Sequence, residues 1–373
     1  MWDYKYLARV DLRVVPLILA LMWISILVIA SMTSGDGESI FSDAAKSQIQ
    51  WFLVGWLVFS FFVGVDYRSL RFWSWVLYIA VIVLLIGLFF TTPIQNVQRW
   101  YRIPFLGRAF QPSEYAKLTV VVALSAFLEL KGGNVGSLRT AFQALLIVFI
   151  PFILILRQPD LGTALVLYPI ALVMFYIGGI HRAIVRAMVA VGAVCFTLVA
   201  LMFTGVLSHD EMKPYATKFI KEYQYERLNP NTYHQKAAQT AIGLGGVKGS
   251  GWLQSDFSGR EWLPAAYTDS VFAAYAEEFG FLGVILIVLF FFGLIYFSFQ
   301  VTAGAKDTFG RLLSVGITVY LAMHVIVNIG MMVGFLPITG VPLILVTYGG
   351  SSVVSSMMAL GILQSIYSRR FMF

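Results

Sequence analysis

Charged residues are scarce in this sequence. Only 12% of the 373 residues are Asp, Glu, Lys or Arg, whereas 59% are hydrophobic, and a soluble domain usually contains about 25% charged residues. The apolar residues fall into repeated runs of about 20, the length that a helix needs to cross a bilayer. These features predict an all-α polytopic membrane protein.

Cysteine is almost absent, because only Cys195 occurs, inside an apolar run. A single cysteine can form no intramolecular disulfide. The sequence also lacks HExxH, CxxC, a nucleophile elbow and the kinase motifs. Its four histidines are scattered and form no obvious metal site: His181, His209, His234 and His324. Nothing indicates an organic cofactor or a nucleic-acid partner.

Ten apolar segments are candidate membrane spans. They cover residues 14–33, 49–65, 73–91, 114–130, 140–157, 160–179, 183–206, 270–299, 311–335 and 342–367. Lys and Arg are concentrated in the connections that would be cytoplasmic if the N-terminus were inside, and the first outer loop contains only Lys46. We therefore predict a single domain over residues 1–373, with both termini in the cytoplasm and a large extracytoplasmic loop at about 207–269.

The second outer loop, residues 92–113, departs from this charge pattern because it contains Arg99, Arg102 and Arg108. Guanidinium groups match phosphate oxygens, so one interpretation is a site for an anionic ligand. The alternative is contact with lipid headgroups. The charges alone favour neither.

Two stretches of the large loop have distinct patterns. Tyr215, Phe219 and Tyr223 recur every fourth residue, which predicts an amphipathic helix on the outer membrane surface. The glycine-rich stretch AIGLGGVKGSGW at 241–252 has no preceding strand and no Gly-Lys-Ser/Thr, so it does not fit a phosphate-binding loop. We expect turns with positive φ or a close backbone approach there.

Two motifs place charge at predicted helix starts. In FQPSEYAK, residues 110–117, Glu114 and Lys117 share one face of the first turn. In RQPDLGTA, residues 157–164, Asp160 is placed where a carboxylate favours a helix N-terminus. These residues, with Arg157, could form one charge-paired cluster, or each could serve only its own helix.

The stretch WLPAAYTDSVFAAYAEE, residues 262–278, brings Asp269, Glu277 and Glu278 to the start of a long apolar run. Charge inside a membrane is costly and therefore suggests function. A helix beginning near Thr268 would place Glu277 about 12 Å deeper than Asp269. A helix-cap neighbour and buried ion pairs are the structural alternatives. His324 and Asn328 share a face of the ninth span, which suggests helix–helix hydrogen bonding.

At these residues the chain resembles the SEDS family of bacterial membrane proteins (shape, elongation, division and sporulation), over essentially its whole length. The resemblance rests on the order and spacing of QRWYRIP at 98–104, FQPSEYAK at 110–117, RQPDLGTA at 157–164, YHQKAAQTAIGLGGVKGSGW at 233–252, WLPAAYTDSVFAAYAEEFG at 262–280 and MVGFLPITGVPLILVTYGGSS at 332–352. The QRW and RQPDLGTA forms are more similar to the RodA (elongation) branch than to the FtsW (division) branch.

The resemblance implies ten transmembrane helices and a peptidoglycan glycosyltransferase that polymerises lipid II, with Asp269 as the catalytic residue. It also implies work with a class B penicillin-binding protein and the elongation machinery. The substrate-binding residues that we expect are Arg99, Trp100, Arg108, Glu114, Lys117, Gln158, Asp160, His234, Gln235 and Glu277. The family commonly has Pro-Glu-x-His before Thr-Asp, where this chain has Ala265, Ala266 and Tyr267, and it has Thr347 where a Ser is usual.

In the mechanism that we expect, Asp269 acts as general base on the 4-hydroxyl of the acceptor N-acetylglucosamine. The donor is the glycan attached to undecaprenyl pyrophosphate. The pyrophosphate is the leaving group and needs positive charge, which the arginines, Lys117 or a divalent cation such as Mg²⁺ or Mn²⁺ would supply. Two other functions fit the spans: a lipid II flippase, and a non-catalytic scaffold for a transpeptidase. No convincing internal repeat supports a transporter.

Overall fold

The computed structural model describes residues 2–34, 42–92, 97–103, 108–218 and 222–370. In this part of the chain, the α-helices are α1 Val14–Thr33, α2 Asp43–Gly64, α3 Ser69–Gly87, α4 Pro112–Lys131, α5 Leu138–Arg157, α6 Leu161–Gly178, α7 Arg182–Phe203, α8 His209–Ala216, α9 Glu222–Glu226, α10 Tyr233–Gly245, α11 Asp256–Gly259, α12 Val271–Gly304, α13 Thr308–Met332 and α14 Gly350–Arg369. Short 3₁₀ helices cover Tyr4–Arg9, Leu88–Phe90 and Gly132–Asn134. The predicted all-α membrane architecture is therefore correct in outline.

Eight of the described helices are long and apolar enough to cross a membrane: α1, α2, α3 with its 3₁₀ extension to Phe90, α5, α6, α7, α12 and α13. Helices α4 and α14 correspond to the other two predicted spans and have 20 residues each. They are less apolar because they pack inside the bundle, where most of their side chains are buried by other helices. A helix shielded from lipid does not need a continuous apolar surface.

The last predicted span, 342–367, begins too early. Helix α14 begins at Gly350, and residues 333–349 form an irregular segment instead of a helix. Its composition explains this, because Pro337 and Pro342 disfavour a helix interior and Gly340 adopts a φ of 76°. The 333–349 segment is therefore a connection folded into the protein, with most of its side chains at least partly buried.

Two buried polar side chains of α13 hold this segment. His324 Nδ1 lies 3.0 Å from the carbonyl oxygen of Pro342. Asn328 Nδ2 donates to the carbonyl oxygens of Val341 at 2.8 Å and Asp269 at 3.1 Å. The predicted helix–helix hydrogen bonding is present for His324, whose Nε2 lies 2.8 Å from Lys117 Nζ on α4. Asn328 instead bonds irregular backbone, which needs such partners when it lies at depth in a membrane protein.

The glycine-rich stretch packs tightly against a kink in α12, as its composition predicts. Gly280 within α12 has a φ of 61°, and the amides of Ser250 and Gly251 donate to the carbonyl oxygens of Glu277 at 2.9 Å and Glu278 at 3.0 Å. A Cβ on Gly249 would lie only 2.1 Å from the Glu278 carbonyl oxygen. The glycines therefore allow backbone to approach backbone, and no phosphate-binding loop is formed.

One feature of the loops was not predicted, and one predicted feature lies partly outside the described residues. The second loop forms a short hairpin in which Tyr101–Ile103 pairs antiparallel with Arg108–Phe110, a feature that the sequence analysis did not anticipate. Phe219 and the side chains of Tyr215 and Tyr223 lie outside the described residues, so the predicted amphipathic helix stays a prediction. Helices α8 to α11 occupy the region between α7 and α12.

Candidate active site

A cavity of about 1070 Å³ lies at one end of the helix bundle. The first turn of α4, the residue before α6, the residues before α12 and the 333–349 segment all contribute to its wall. Residues just before the hairpin and residues in the region of α9 and α10 cover another side. Five predicted site residues besides Asp269 line this one cavity, although they come from four separate parts of the chain: Arg99, Trp100, Glu114, Asp160 and His234.

Asp269 lies in the cavity wall, two residues before α12 begins. The chain reaches it through a turn in which the Thr268 amide donates to the Ala265 carbonyl oxygen at 3.0 Å. A Cβ on Gly340 would be 3.3 Å from Asp269 Oδ2, so the absence of a side chain there leaves room for the carboxylate. The Asp269 backbone is fixed by Asn328, whereas no group in the described part of the chain donates a hydrogen bond to its carboxylate. The carboxylate is therefore positioned and open to a ligand.

Burial is the main influence on the proton affinity of Asp269, and it raises the pKa of the carboxyl above its ordinary value. The positive charges of Arg227 and Arg99 act in the opposite direction and lower that pKa, while the carboxylate of Asp160 raises it slightly. A carboxylate with a raised pKa binds a proton more tightly than an ordinary aspartate. This property suits a general base.

Two arginines supply positive charge to the cavity. Arg99 Nε donates to the Gln158 carbonyl oxygen at 3.0 Å, and its Nη2 donates to that of Pro159. Arg227 Nη1 donates to the Thr339 carbonyl oxygen at 3.3 Å. Arg99 was predicted to bind substrate, whereas Arg227 was counted only among the charges of a long loop. Nothing in its neighbourhood, YERLNP, separates it from the other basic residues there.

Glu114 and Lys117 form the ion pair that their spacing predicts. Lys117 Nζ lies 2.7 Å from Glu114 Oε1 and 2.8 Å from His324 Nε2, and the ring of Tyr320 is centred 5.4 Å from it. Glu114 reaches the cavity, while Lys117 is wholly buried behind it and is not part of the wall. The pair therefore links α4 to α13 beside the cavity.

Asp160 joins the starts of α4 and α6. Its carboxylate accepts from the Thr163 amide at 3.3 Å, which caps α6 as expected for that position. It also accepts from Ser113 Oγ at 3.1 Å and Gln111 Nε2 at 3.2 Å. Arg157 is exposed and does not line the cavity, and these partners of Asp160 are neutral. Of the predicted charge-paired cluster, only the Glu114–Lys117 pair forms in the described part of the chain.

His234 lies on α10 and its Nε2 is 2.7 Å from Ser270 Oγ, next to Asp269 in sequence. Burial lowers the pKa of His234 below its ordinary value, so the imidazole is neutral at neutral pH. The adjacent Gln235 turns to the protein interior and donates to the Met331 carbonyl oxygen at 2.6 Å. One face of α10 thus serves the cavity and the other fixes α10 to α13.

Besides Lys117, three predicted binding residues do not reach the cavity wall: Gln158, Gln235 and Glu277. Glu277 accepts from the amides of Phe257 and Ser258, both at 2.9 Å, so its carboxylate holds the start of α11. Gln158 donates to the Leu85 carbonyl oxygen at 2.8 Å. The expected position of Glu277 also assumed a helix from Thr268, whereas α12 begins at Val271. Their buried positions and backbone partners support structural roles.

The side chain of Arg108 lies outside the described residues, so its predicted role is open. Several aromatic side chains that the sequence analysis did not select also line the cavity: Trp51, Tyr267 and Tyr348. The rings of Tyr267 and Tyr348 meet edge to face at 5.7 Å. An abundance of aromatics throughout the chain conceals such positions, since Phe, Trp and Tyr make up 16% of it.

The fold and cavity define a class: a polytopic helical membrane protein with a polar, carboxylate-bearing cavity at one end of the bundle. The FTSW_RODA_SPOVE family model, described as cell cycle protein, matches residues 12–370. The chain therefore belongs to the FtsW/RodA/SpoVE family, as the motifs indicated. This result also explains why the separated motifs meet in one site.

Two relatives are each 33% identical to this chain. One is the peptidoglycan glycosyltransferase MrdB of Escherichia coli K12, aligned over 370 residues, 99% of this chain and 95% of MrdB. The other is the stage V sporulation protein E of Bacillus subtilis 168, aligned over 377 residues, 96% of this chain and 98% of that protein.

Two solved structures have a similar fold. One, described under "Structural coordination of polymerization and crosslinking by a peptidoglycan synthase complex", contains a chain with a TM-score of 0.75 and 23% identity that covers 98% of this chain and 99% of its own. The rod shape determining protein RodA of Thermus thermophilus has a TM-score of 0.70 and 24% identity, with 97% and 98% covered.

Proposed function

We propose that this chain is a peptidoglycan glycosyltransferase that polymerises lipid II into glycan strands during cell elongation and shape maintenance. Its full-length similarity to MrdB, a named peptidoglycan glycosyltransferase, supports this activity. The observation that carries the proposal is the Asp269 carboxylate, held by its backbone and open to a ligand in a large cavity beside two arginines.

In the reaction, Asp269 accepts the proton of the acceptor 4-hydroxyl as that oxygen forms a bond to the anomeric carbon of the donor. The bond between this carbon and the undecaprenyl pyrophosphate oxygen breaks, and the pyrophosphate leaves with the bonding electrons. The configuration at the anomeric carbon is inverted. The pKa of Asp269, which burial raises, favours this proton transfer.

The charge that develops on the leaving pyrophosphate needs positive groups already in place. Arg99 and Arg227 line the cavity, and each is anchored by a backbone carbonyl oxygen. Lys117, which the sequence analysis also considered for this task, is buried behind Glu114 and paired with it. We therefore assign the pyrophosphate to the two arginines and give Lys117 the task of neutralising Glu114.

A divalent cation, Mg²⁺ or Mn²⁺, was the other expected source of positive charge for the leaving pyrophosphate. Within the described ranges, no three His, Cys, Asp or Glu side chains are grouped so that they could hold a metal ion. The carboxylates of Glu114 and Asp160 are also engaged, by Lys117 in one case and by Ser113 and Gln111 in the other. The donor set does not fit a preformed site, and no step above depends on a metal.

The membrane arrangement that we propose has ten transmembrane helices, comprising the eight apolar ones together with α4 and α14. Both termini are cytoplasmic, the region between α7 and α12 is extracytoplasmic, and the cavity opens at the outer face of the cytoplasmic membrane. The charge distribution of the connections supports this orientation. The acceptor and donor lipids would then reach Asp269 from the outer leaflet.

A class B penicillin-binding protein, a transpeptidase, is the partner that we propose, within the elongation machinery. The solved peptidoglycan synthase complex contains a chain of this fold, and its description combines polymerisation with crosslinking. New glycan strands need crosslinks, so a polymerase benefits from an adjacent transpeptidase.

The proposal is tested with purified full-length protein in liposomes that receive labelled lipid II, with and without the transpeptidase. Glycan polymer is resolved on gels for the wild type, Asp269→Asn and a control, Asp256→Asn. Asp256 is exposed and belongs to the same region. We expect Asp269→Asn to lose at least about 100-fold in rate, because a general base contributes about that factor or more, and Asp256→Asn to keep full activity.

Thermal unfolding shows whether the variant is folded. Burial raises the pKa of Asp269 in the folded protein, so the ionised carboxylate destabilises the fold above that pKa and the cost disappears as the pH falls through it. Asparagine avoids this cost, and Asp269→Asn should unfold at no lower temperature than the wild type at pH 7. Full activity of the folded variant would refute the assignment. Polymer from neither protein would favour the flippase or scaffold, to be separated by a fluorescent-lipid translocation assay.

A further inference from the structure

A second cavity, of about 380 Å³, lies at the opposite end of the bundle from Asp269. It is lined by Arg68, Arg71, Glu129, Lys306, Asp307 and Phe309. These residues belong to the α2–α3 connection, the start of α3, the end of α4, the α12–α13 connection and the first turn of α13. Glu114, at the other end of α4, lines the first cavity, and a helix of 20 residues is about 30 Å long. The two cavities are therefore separate sites.

Both carboxylates of this cavity already have partners in the protein. Asp307 accepts from the Tyr67 hydroxyl and, at 2.9 Å, from the Gly310 amide, where it caps α13. Burial raises the pKa of Tyr67 to about 12, so the phenol remains a hydrogen-bond donor at neutral pH. Glu129 Oε2 lies 3.2 Å from Arg71 Nη1. Neither carboxylate needs an added cation.

The cations exceed the carboxylates by one. The wall contains three cations, Arg68, Arg71 and Lys306, against two carboxylates, a net charge of plus one at neutral pH. The guanidinium of Arg68 lies 5.7 Å from the centre of the Tyr67 ring, which stacks on Phe309 at 6.5 Å. Lys306 is exposed on the other side. A ligand with one negative charge would balance this wall.

The position of the cavity indicates where such a ligand would come from. Arg71 is followed on α3 by Phe72, Trp73 and Trp75, whose side chains are 81%, 52% and 42% exposed. Exposed aromatic residues at the end of a membrane-spanning helix lie at the depth of the lipid headgroups. The cations of the cavity are therefore at the same depth as lipid phosphates.

We propose that this second cavity binds the phosphodiester headgroup of a monoanionic membrane lipid. The phosphate oxygens would lie between the guanidinium groups of Arg68 and Arg71 and the ammonium group of Lys306, since these donors suit phosphate. The glycerol or other end of the headgroup would occupy the remaining volume, and the acyl chains would follow the aromatic face of α3. This site is independent of the glycosyl transfer at Asp269.

Native mass spectrometry of the full-length protein released from detergent tests the proposal. The protein is titrated with dimyristoyl phosphatidylglycerol, with dimyristoyl phosphatidylcholine and with inorganic phosphate. We expect one phosphatidylglycerol molecule to bind at least about fivefold more tightly than phosphatidylcholine, because one cation at a membrane surface contributes roughly that factor. Inorganic phosphate should compete only weakly, since it lacks the chains.

The variants locate the binding. Lys306→Gln should weaken phosphatidylglycerol binding about fivefold, and Lys306→Arg should restore it. Arg311→Gln is the matched control, because Arg311 is an exposed cation at the same end of the bundle that does not line the cavity. Thermal unfolding checks that each variant is folded.

Three results would overturn the proposal. Equal binding of the two lipids by the wild type would exclude headgroup selection and needs no variant. Equal losses in Lys306→Gln and Arg311→Gln would indicate a diffuse basic surface instead of a site. Tight binding of inorganic phosphate, with no preference between the lipids, would assign the cavity to a free anion.

Discussion

Burial and nearby positive charge have opposite effects on the pKa of the Asp269 carboxyl, and the charge of Arg227 can be removed by mutation. Burial raises its pKa, whereas the charge of Arg227 lowers it. In Arg227→Gln the lowering charge is absent, so the pKa should increase. A general base must be deprotonated, and the rise of polymerisation rate with pH should therefore shift to higher pH. The maximal rate should also fall about 100-fold if Arg227 stabilises the leaving pyrophosphate.

The measurement is the initial rate of polymer formation against pH for the wild type, Arg227→Gln and Arg260→Gln. Arg260 is exposed, pairs with Asp256 and does not line the cavity, so its variant should match the wild type. A lower maximal rate with an unchanged pH dependence would mean that Arg227 contacts the substrate without influencing Asp269. An unchanged rate would exclude Arg227 from the site.

Among the elements, the packing of the glycine-rich stretch on α12 gives the most direct prediction. Gly249→Ala places a Cβ 2.1 Å from the Glu278 carbonyl oxygen, at a residue whose φ is 81°. Backbone must move, and we expect a loss of about 1–3 kcal/mol in the free energy of unfolding. The midpoint of thermal unfolding in detergent measures this loss.

Gly243→Ala is the control for this change. Gly243 is an exposed residue of α10, and a Cβ there meets no atom within 4 Å. Alanine is the better helix former, so this variant should gain about 0.5–1 kcal/mol. Opposite shifts would locate the effect at the contact with α12. Equal stability of Gly249→Ala and wild type would contradict the packing described for the stretch.

The elements also show which features a single sequence can predict. The apolar runs and helix-start residues predicted the helices, and α1 has the predicted bounds. The spacing of Glu114 and Lys117 in the first turn of α4 predicted their ion pair. Residues 342–349 were not separated from α14, because their apolar side chains resemble those of a span and the hydrogen bond between His324 and the Pro342 carbonyl oxygen comes from a distant part of the chain. Local patterns do not contain such long-range contacts.

In the candidate site, too, some residues could be predicted from the sequence and others could not. Asp269, Glu114 and Asp160 belong to recognisable motifs, and the cavity unites them. Arg227 was missed because one arginine in a long basic loop has no distinguishing pattern. Glu277 was selected because a carboxylate near a membrane suggests function, yet its oxygens bind the amides at the start of α11. A buried charge can equally serve structure when backbone donors surround it.

The two ends of the whole molecule differ in chemistry, which predicts its orientation in the membrane. In the function that we propose, the cavity with Asp269 opens at the outer face, and the second cavity lies about the length of α4 away. Two exposed positions can report on these ends: Lys236 on α10, beside the first cavity, and Gly133, after α4.

In a Cys195→Ser background, which removes the natural thiol, Lys236→Cys and Gly133→Cys are each treated with a membrane-impermeant maleimide in right-side-out vesicles. We expect Lys236→Cys to react in intact vesicles and Gly133→Cys only after permeabilisation. The impermeant reagent reaches only outward thiols, so the opposite pattern would invert the orientation and place Asp269 at the cytoplasmic face. Reaction of both positions in intact vesicles would mean that the two ends lie on one side, which a bundle of membrane-spanning helices does not allow.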